Sequence, residues 1–585
     1  MAMGVGDPVG SGATLARWAL LVLLAAGCSA HAPASPVASD HTSLDSGAAV
    51  PLAADGDASA SGGGTLFVDG GPTLGPAFPP DPVGAGQITD AQAAALAASF
   101  SGAAPGSAPA PCLTEPTLGA MFPTNFTPPL FEWTADSTFD VFELRLHVDG
   151  EANDLLVYTD ETTFQMPSAS WSTLAAASAG QDIAVSLRAG TLTGGVAGGV
   201  VTGPNGVIHI APVAAPGAVV YWTTSASSAL KGFHIGDSSA TTVLTPALMQ
   251  QASPGQSATC IGCHVASPDG TVAFVDRQDE ANGPFGIDAR LVDGTGEQPG
   301  SSIVSNAALA TLSLTYNVFP TLSLAHYSAT DAVALSVRNV DVDGGSYDDT
   351  GSYELVWTDL HTGASGTMQR TGDPGQPDSP DFSHDGVTVA YTSTTGGPIS
   401  IYETSATTDV YTVPYADRAG GGASPLAGAS DPAYNEYFPA YSPGDTFVSF
   451  DRIGAGESVY GAPGAEVFVV PASGGAPTRL AANDPPQCTG VTSPGIGNSW
   501  PRWAPSSSPV GSKRYYWLVF SSTRRSPPGA PTPVPQLFLC AIVTLVNGTS
   551  EVVDSTYPAV YIPAQTPTES NHTPAWDQFQ LPPPR

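Results

Sequence analysis

One unit recurs along the C-terminal part of the chain, and it constrains the fold more than any other feature. A proline leads into a turn rich in Ser, Asp and Gly, and then into a strand of alternating apolar residues. "FPTLSLAHYSATDAVALSV" (319–337), "SPDFSHDGVTVAYTS" (379–393), "YFPAYSPGDTFVSFD" (437–451), "SWPRWAPSSSPVGSKRYYWLVFSS" (499–522) and "HTPAWDQFQL" (572–581) are five copies. "IGCHVASPDGTVAFVD" (261–276) is a sixth, with His264 where the others place Pro320, Pro380, Pro439, Pro501 and Pro574. The spacings, 56, 60, 59, 62 and 73 residues, each leave room for one four-stranded sheet with extended loops. Such an array buries its hydrophobic faces by closing into a ring.

The last copy has too few residues after Pro574 to build a sheet of its own. Its missing strands are expected from "AVVYWTTS", "ALKGFHIG" and "ATTVLTP", between 218 and 246. The ring then holds six blades, or seven if an insertion hides a degenerate copy. These repeats resemble those of TolB-like β-propellers from about residue 217 to 585. The resemblance implies an all-β, six-bladed (alternatively seven-bladed) β-propeller at a bacterial cell envelope.

Upstream, residues 112–216 read as short strands between turn residues, among them "LFEWTA", "VFELRLHVDG", "LLVYTDETTFQM", "DIAVSLRAG" and "GVIHIAP". About seven such strands in about a hundred residues predict a β-sandwich. Its opening "PTLGAMFPTNFTPPLFEW" resembles the entry to fibronectin/immunoglobulin-like modules of secreted bacterial proteins. Residues 28–111, as in "AADGDASASGGG", read as a low-complexity tether. Within it "ITDAQAAALAASFSG" predicts a short helix capped by Thr89 or Asp90 and ended by Gly102.

The first 27 residues read as a signal peptide, with Arg17 ahead of an apolar run too short to span a bilayer. Leu24-Ala-Ala-Gly-Cys28 looks like a bacterial lipobox, which implies lipidation of Cys28 and attachment to the membrane, as a periplasmic or outer-membrane lipoprotein. Composition supports export, with 65 Gly, 56 Pro and only 12% charged residues, and 17 basic against 52 acidic residues give a net charge of −35, which argues against nucleic acid as a partner.

With Cys28 assigned to lipid, five of the six cysteines remain. Cys260-Ile-Gly-Cys263-His264 has the spacing of a c-type haem attachment site: two thiols for the two vinyl groups, and a following imidazole for the iron. One covalent haem c is therefore expected, with His264 as axial ligand. A local disulfide or a partial zinc site would use the same residues, although no further ligands stand at zinc-knuckle spacing. The repeat alignment puts this haem at the channel mouth, walled by Phe319, Phe438 and Trp500. His572 is the expected sixth ligand and Met249 its rival; His326 and His384 rank lower because they align with strand tips. Cys488 and Cys540, in one domain, are the expected disulfide, leaving Cys112 odd.

"DVDGGSYDD" (340s) lacks the full spacing of a calcium loop and reads as a solvated hairpin turn. No G-x-S-x-G nucleophile motif is present, which argues against a hydrolase attached to the propeller. Two functions follow. The first is electron transfer or small-molecule redox chemistry at a haem on the channel mouth, with an envelope redox partner. The alternative is a non-catalytic TolB-like scaffold that binds a protein or glycan.

Overall fold

The computed structural model describes residues 77–582 apart from 178, 225–227, 280–284, 301, 341–350, 396–405, 458–460 and 526–532. The expected leader, the lipobox Cys28, the tether to residue 76 and the Asp-rich 340s loop lie outside the described residues.

The repeats fold as expected. Each opens on a strand that pairs antiparallel with the next, and six sheets follow in chain order. The closing sheet joins Ala218–Thr223, Ala229–His234 and Thr241–Leu244 to the C-terminal strand Asn571–Asp577. The second sheet is Cys260–Ala266, Val272–Gln278 and Phe285–Leu291. The third begins at Asn317–Tyr327, the fourth at Gln376–Phe382, the fifth at Tyr434–Tyr441 and the sixth at Asn498–Trp503. These six first strands, counting Asn571–Asp577 for the closing sheet, pack side by side in a ring whose last member meets its first. The chain is a β-propeller, and its two ends meet in one sheet: Trp576 pairs with Val219 and Asn571 with Thr223.

Apolar residues on both faces of the strands fill the wedges between sheets. Val272, Phe274, Ile287 and Leu312 pack between the second and third sheets, and Val448, Phe450, Val410 and Ala390 between the fourth and fifth. The tight reversals fall where the Asp-Gly and Gly-Asp tips predict them. Gly270 has φ +72° and donates its N–H to the Ser267 carbonyl at 2.8 Å. The C-terminal tail lies over this turn, with the Gln580 N–H donating to the Gly270 carbonyl at 2.9 Å.

Residues 83–210 form two sheets that share one core, Phe131 and Trp133 on the smaller sheet facing Phe142, Leu144 and Val157 on the larger. The predicted strands are present, except that "LLVYTDETTFQM" divides into Leu155–Thr159 on the larger sheet and Thr163–Gln165 on the smaller. The helix is also as read: it spans Asp90–Gly102, and Thr89 and Gln92 complete a capping box. The tether expected up to residue 111 is corrected, because the described part of it is folded. Val83–Ala85 pairs with the larger sheet, and Ala93, Leu96 and Phe100 of the helix are buried against that sheet.

This two-sheet unit packs on the seam between the sixth and closing sheets, where Ala120, Met121 and Phe122 join one core with Trp517, Leu539, Tyr221 and Trp576. A disulfide links Cys112 to Cys488. That corrects the expected Cys488–Cys540 pair: Cys540 lies on the central strand Gln536–Asn547 with its thiol buried in the core between the fifth and sixth sheets, out of reach of a surface loop. Beside the disulfide, the buried Glu115 carboxylate accepts the Tyr561 N–H at 2.8 Å, and Arg525 pairs with Glu132 at 2.7 Å. Among the described residues, no helix is long and apolar enough to cross a membrane.

Candidate functional site

The second and fifth sheets superpose in sequence without a gap, 439 − 264 = 175 residues apart. On that register Cys263 matches Phe438, His264 matches Pro439, Ser267 matches Ser442, and Asp276-Arg277 matches Asp451-Arg452. The expected placement of His264 at the repeat proline is therefore that of the folded sheets.

At this point each first strand carries a bulge. The residue before each of the five prolines takes a left-handed backbone: Phe319 at φ 54°, Ser379 at 43°, Phe438 at 53°, Trp500 at 62° and Thr573 at 38°. Such a conformation is costly for residues with a Cβ and persists only where surroundings impose it. Here the preceding sheet supplies part of the constraint. Asp276 accepts the Phe319 N–H at 3.2 Å, Thr392 Oγ1 the Phe438 N–H at 3.2 Å, and Asp451 the Trp500 N–H at 2.9 Å. The bulges turn Phe319, Phe438 and Trp500 into the channel, where they meet Cys263 in one apolar cluster. Phe438 and Trp500 are in direct ring contact, with centroids 4.4 Å apart.

The expected aromatic wall thus exists, but it closes the channel upon itself. Phe438 is wholly buried and does not line the adjoining cavity, whereas Phe319 and Trp500 do. The residues expected to hold haem do not converge on one space. Cys260 precedes the bulge in this strand and Cys263 lies within it, and their side chains enter different clusters. Cys260 is buried with Trp222 and Ile261 in the core between the closing and second sheets, while Cys263 points into the channel cluster. The two thiols are not paired with each other, since Cys263 is free, its thiol pushed well above its ordinary pKa by burial.

His264 is also committed. Its Nε2 lies 3.1 Å from the Val220 carbonyl and its Nδ1 3.2 Å from the Gly262 carbonyl. Burial pulls its pKa down to about 4, so the ring is neutral and its single N–H can serve one of the two carbonyls, Val220 of the closing sheet or Gly262 of its own strand. Met249 sits in the same core as Cys260, on the helix Pro246–Ala252, and fills an apolar role. His572 stacks at a tilt on Trp222, has Ser570 Oγ 2.7 Å from Nε2, and does not line the cavity. These residues do not fit a covalent haem. Among the described residues no three His, Cys, Asp or Glu side chains gather as a metal-holding group.

What the ring does build is a cavity of about 220 Å³ at the channel mouth, just beyond the repeat prolines. Its charged wall comes from positions that the motif search passed over. Asp381 and Arg502 each follow a repeat proline by one residue, and Asp577 follows one by three. Asp381 accepts the Tyr441 N–H at 2.7 Å. Burial raises the pKa of Asp381, and raises that of Asp577 to about 7. His384, at the rim, is held by Asp445 at 2.8 Å. Arg502 donates to the Pro501 carbonyl at 2.8 Å, and its guanidinium lies 4.8 Å from the centre of the Trp500 ring. The signal that could have revealed these residues is the repeat itself. A charge just after the proline, where other copies have Thr321, Ala440 or Ala575, marks a side chain aimed at the channel.

No protein-family model matches the chain, and no curated protein does. Among solved structures, the chain is similar to TolB from Acinetobacter baumannii, with 13% identity over 67% of this chain and 79% of that one and a TM-score of 0.35. It is similar to an oligogalacturonate lyase in complex with manganese, with 13% identity over 59% and 75% and a TM-score of 0.28. A third is a putative 6-phosphogluconolactonase from Bacteroides uniformis, with 11% identity over 60% and 98% and a TM-score of 0.27.

Proposed function

We propose that this chain is a non-catalytic binding scaffold of the bacterial cell envelope, held to a membrane by lipid on Cys28, that docks a protein partner at the mouth of its propeller channel. On this reading the six sheets are six blades, and the preceding two-sheet unit is a fibronectin-like sandwich fixed to the propeller by the Cys112–Cys488 disulfide. The observation that carries the proposal is the mouth cavity. It combines an arginine, two carboxyls and aromatic surface in a recess that the ring holds rigidly. A redox role for the Cys260–His264 segment is not carried forward, since its two sulfurs face different cores and its imidazole is bonded to backbone.

Two measurements test the reading. A photo-crosslinking residue placed at Leu324, 68% exposed on the cavity rim, should capture a discrete partner in the native host. The same probe at Val552, 55% exposed on the outer strand Ser550–Thr556, should not. Equal labelling from both positions would defeat the proposal. Chain purified from a host with haem-maturation machinery should show no Soret band that survives acid-acetone extraction; such a band would restore the haem reading.

A further inference from the structure

The mouth cavity holds a cation that has no ion-pair partner within salt-bridge distance among the described residues. Among the described residues Arg502 makes no ion pair, although it lies within electrostatic range of Asp381, Asp451 and Asp577. A guanidinium has five N–H donors. One hydrogen bond, to the Pro501 carbonyl, is in place. The remaining nitrogens are not sealed from solvent, so they open onto the cavity that Arg502 lines. The other cationic side chain of the wall, His384, already has Asp445 as its counterion. In a chain of net charge −35, an uncommitted arginine stacked on a tryptophan at the centre of the fold is a singular feature.

Size and polarity narrow what can enter. The volume of about 220 Å³ is below that of pockets that enclose a whole drug-sized ligand. It suits the end of a chain rather than a loop. The lining also offers apolar surface, with Phe319, Pro320, Pro380, Trp500 and Pro505 beside Arg502, Asp381 and Asp577, and Leu324 stands exposed at the rim. Guanidinium and carboxylate match as a two-point fork. Asp381 and Asp577 are the groups that would favour an amine instead; Asp381 already accepts the Tyr441 N–H, and burial raises the pKa of both, which weakens their hold on a cation.

We propose, resting on the docking reading above, that the mouth cavity captures the C-terminal carboxylate of a partner polypeptide whose last side chain is apolar, with Arg502 as the anion-binding residue. The free carboxylate bonds the guanidinium, and the terminal side chain lies on Phe319 and Trp500.

The test uses the purified chain and an acetylated hexapeptide ending in leucine, as free acid and as C-terminal amide, with binding followed by calorimetry. The acid should bind at least ten-fold more tightly than the amide. Arg502→Gln should lose that preference, and Arg502→Lys should keep part of it, with the thermal midpoint checked for each. Equal binding of acid and amide overturns the proposal, as does tighter binding of a peptide with a free N-terminus and a blocked C-terminus, or binding of oligogalacturonate but of neither peptide. If Arg502→Gln does not fold, the acid-against-amide comparison on the unaltered chain still decides. A chain that crosslinks a partner from Leu324 but does not prefer the acid loses the carboxylate assignment and keeps the docking reading. One that does neither loses both.

Discussion

Replacing Asp451 with Asn should change how stability depends on pH. Asp451 is wholly buried in the second strand of the fifth sheet and accepts both the Trp500 N–H and the Ser499 hydroxyl through Oδ2, at 2.9 and 2.8 Å. Its Oδ1 has no partner. Burial, only partly offset by those two bonds, raises its pKa from 3.8 to about 8. Between those values the folded chain holds a proton that the unfolded chain has released, so stability falls as pH rises from about 4 to about 8. At about 1.4 kcal/mol per pH unit, the loss between pH 5 and pH 8 is about 4 kcal/mol. Asn cannot ionise, yet its carbonyl can accept the same two donors. Asp577, Glu115 and Glu436, each raised to about 7, titrate in both proteins and cancel in the comparison. With an unfolding entropy of about 2.1 cal/mol/K per residue, each kcal/mol is worth about 1 °C in a unit of this size. The midpoint of Asp451→Asn, relative to the unaltered chain, should therefore rise by about 4 °C between pH 5 and pH 8 in scanning calorimetry. An offset that is the same at both pH values would refute the reasoning, because it would mean that Asp451 does not change its charge state on folding.

Other outcomes follow from packing. Gly270→Ala should destabilise strongly, since a Cβ there would come within 1.8 Å of the Gln578 carbonyl oxygen, and limited proteolysis should show the C-terminal strand released first. Opening the Cys112–Cys488 bridge with paired serines should cost about 2–5 kcal/mol and separate unfolding of the two-sheet unit from that of the propeller in calorimetry. His264→Ala should cost about 2 kcal/mol, from the lost bond to Val220 and the space left, read by denaturant titration, with no change in the visible spectrum. Cys263, partly buried beside the mouth cavity, should alkylate slowly in the native chain and faster on unfolding, because its surroundings push its pKa up and keep it as the thiol.

The architecture was legible because it rests on local pattern. Alternating apolar residues, a proline at fixed spacing and Asp-Gly turns each act over a few residues, and their repetition dictates a ring of sheets. Closure followed by counting: eleven residues after Pro574 cannot make a sheet, so strands near residue 218 had to complete it. The helix at Asp90–Gly102 was legible for the same reason, since its capping box is a contact between residues three apart. The haem reading came from spacing alone. That spacing suits a helical turn or loop, but Cys260–Ala266 is a bulged strand, and its bulge carries Cys263 into a different core from Cys260.

Sequence by itself thus determined which segments are strands, where they turn and how the last meets the first, because these depend on neighbours along the chain. Tertiary structure alone decided the rest. It paired Cys112 with Cys488 across 376 residues, buried Cys540, and set Asp276, Thr392 and Asp451 as acceptors for bulges in the following sheet. It also left Arg502 facing the channel mouth without an ion pair among the described residues. Each of these depends on which face of a strand meets which face of the next sheet. That is fixed only when the ring closes and its wedges fill.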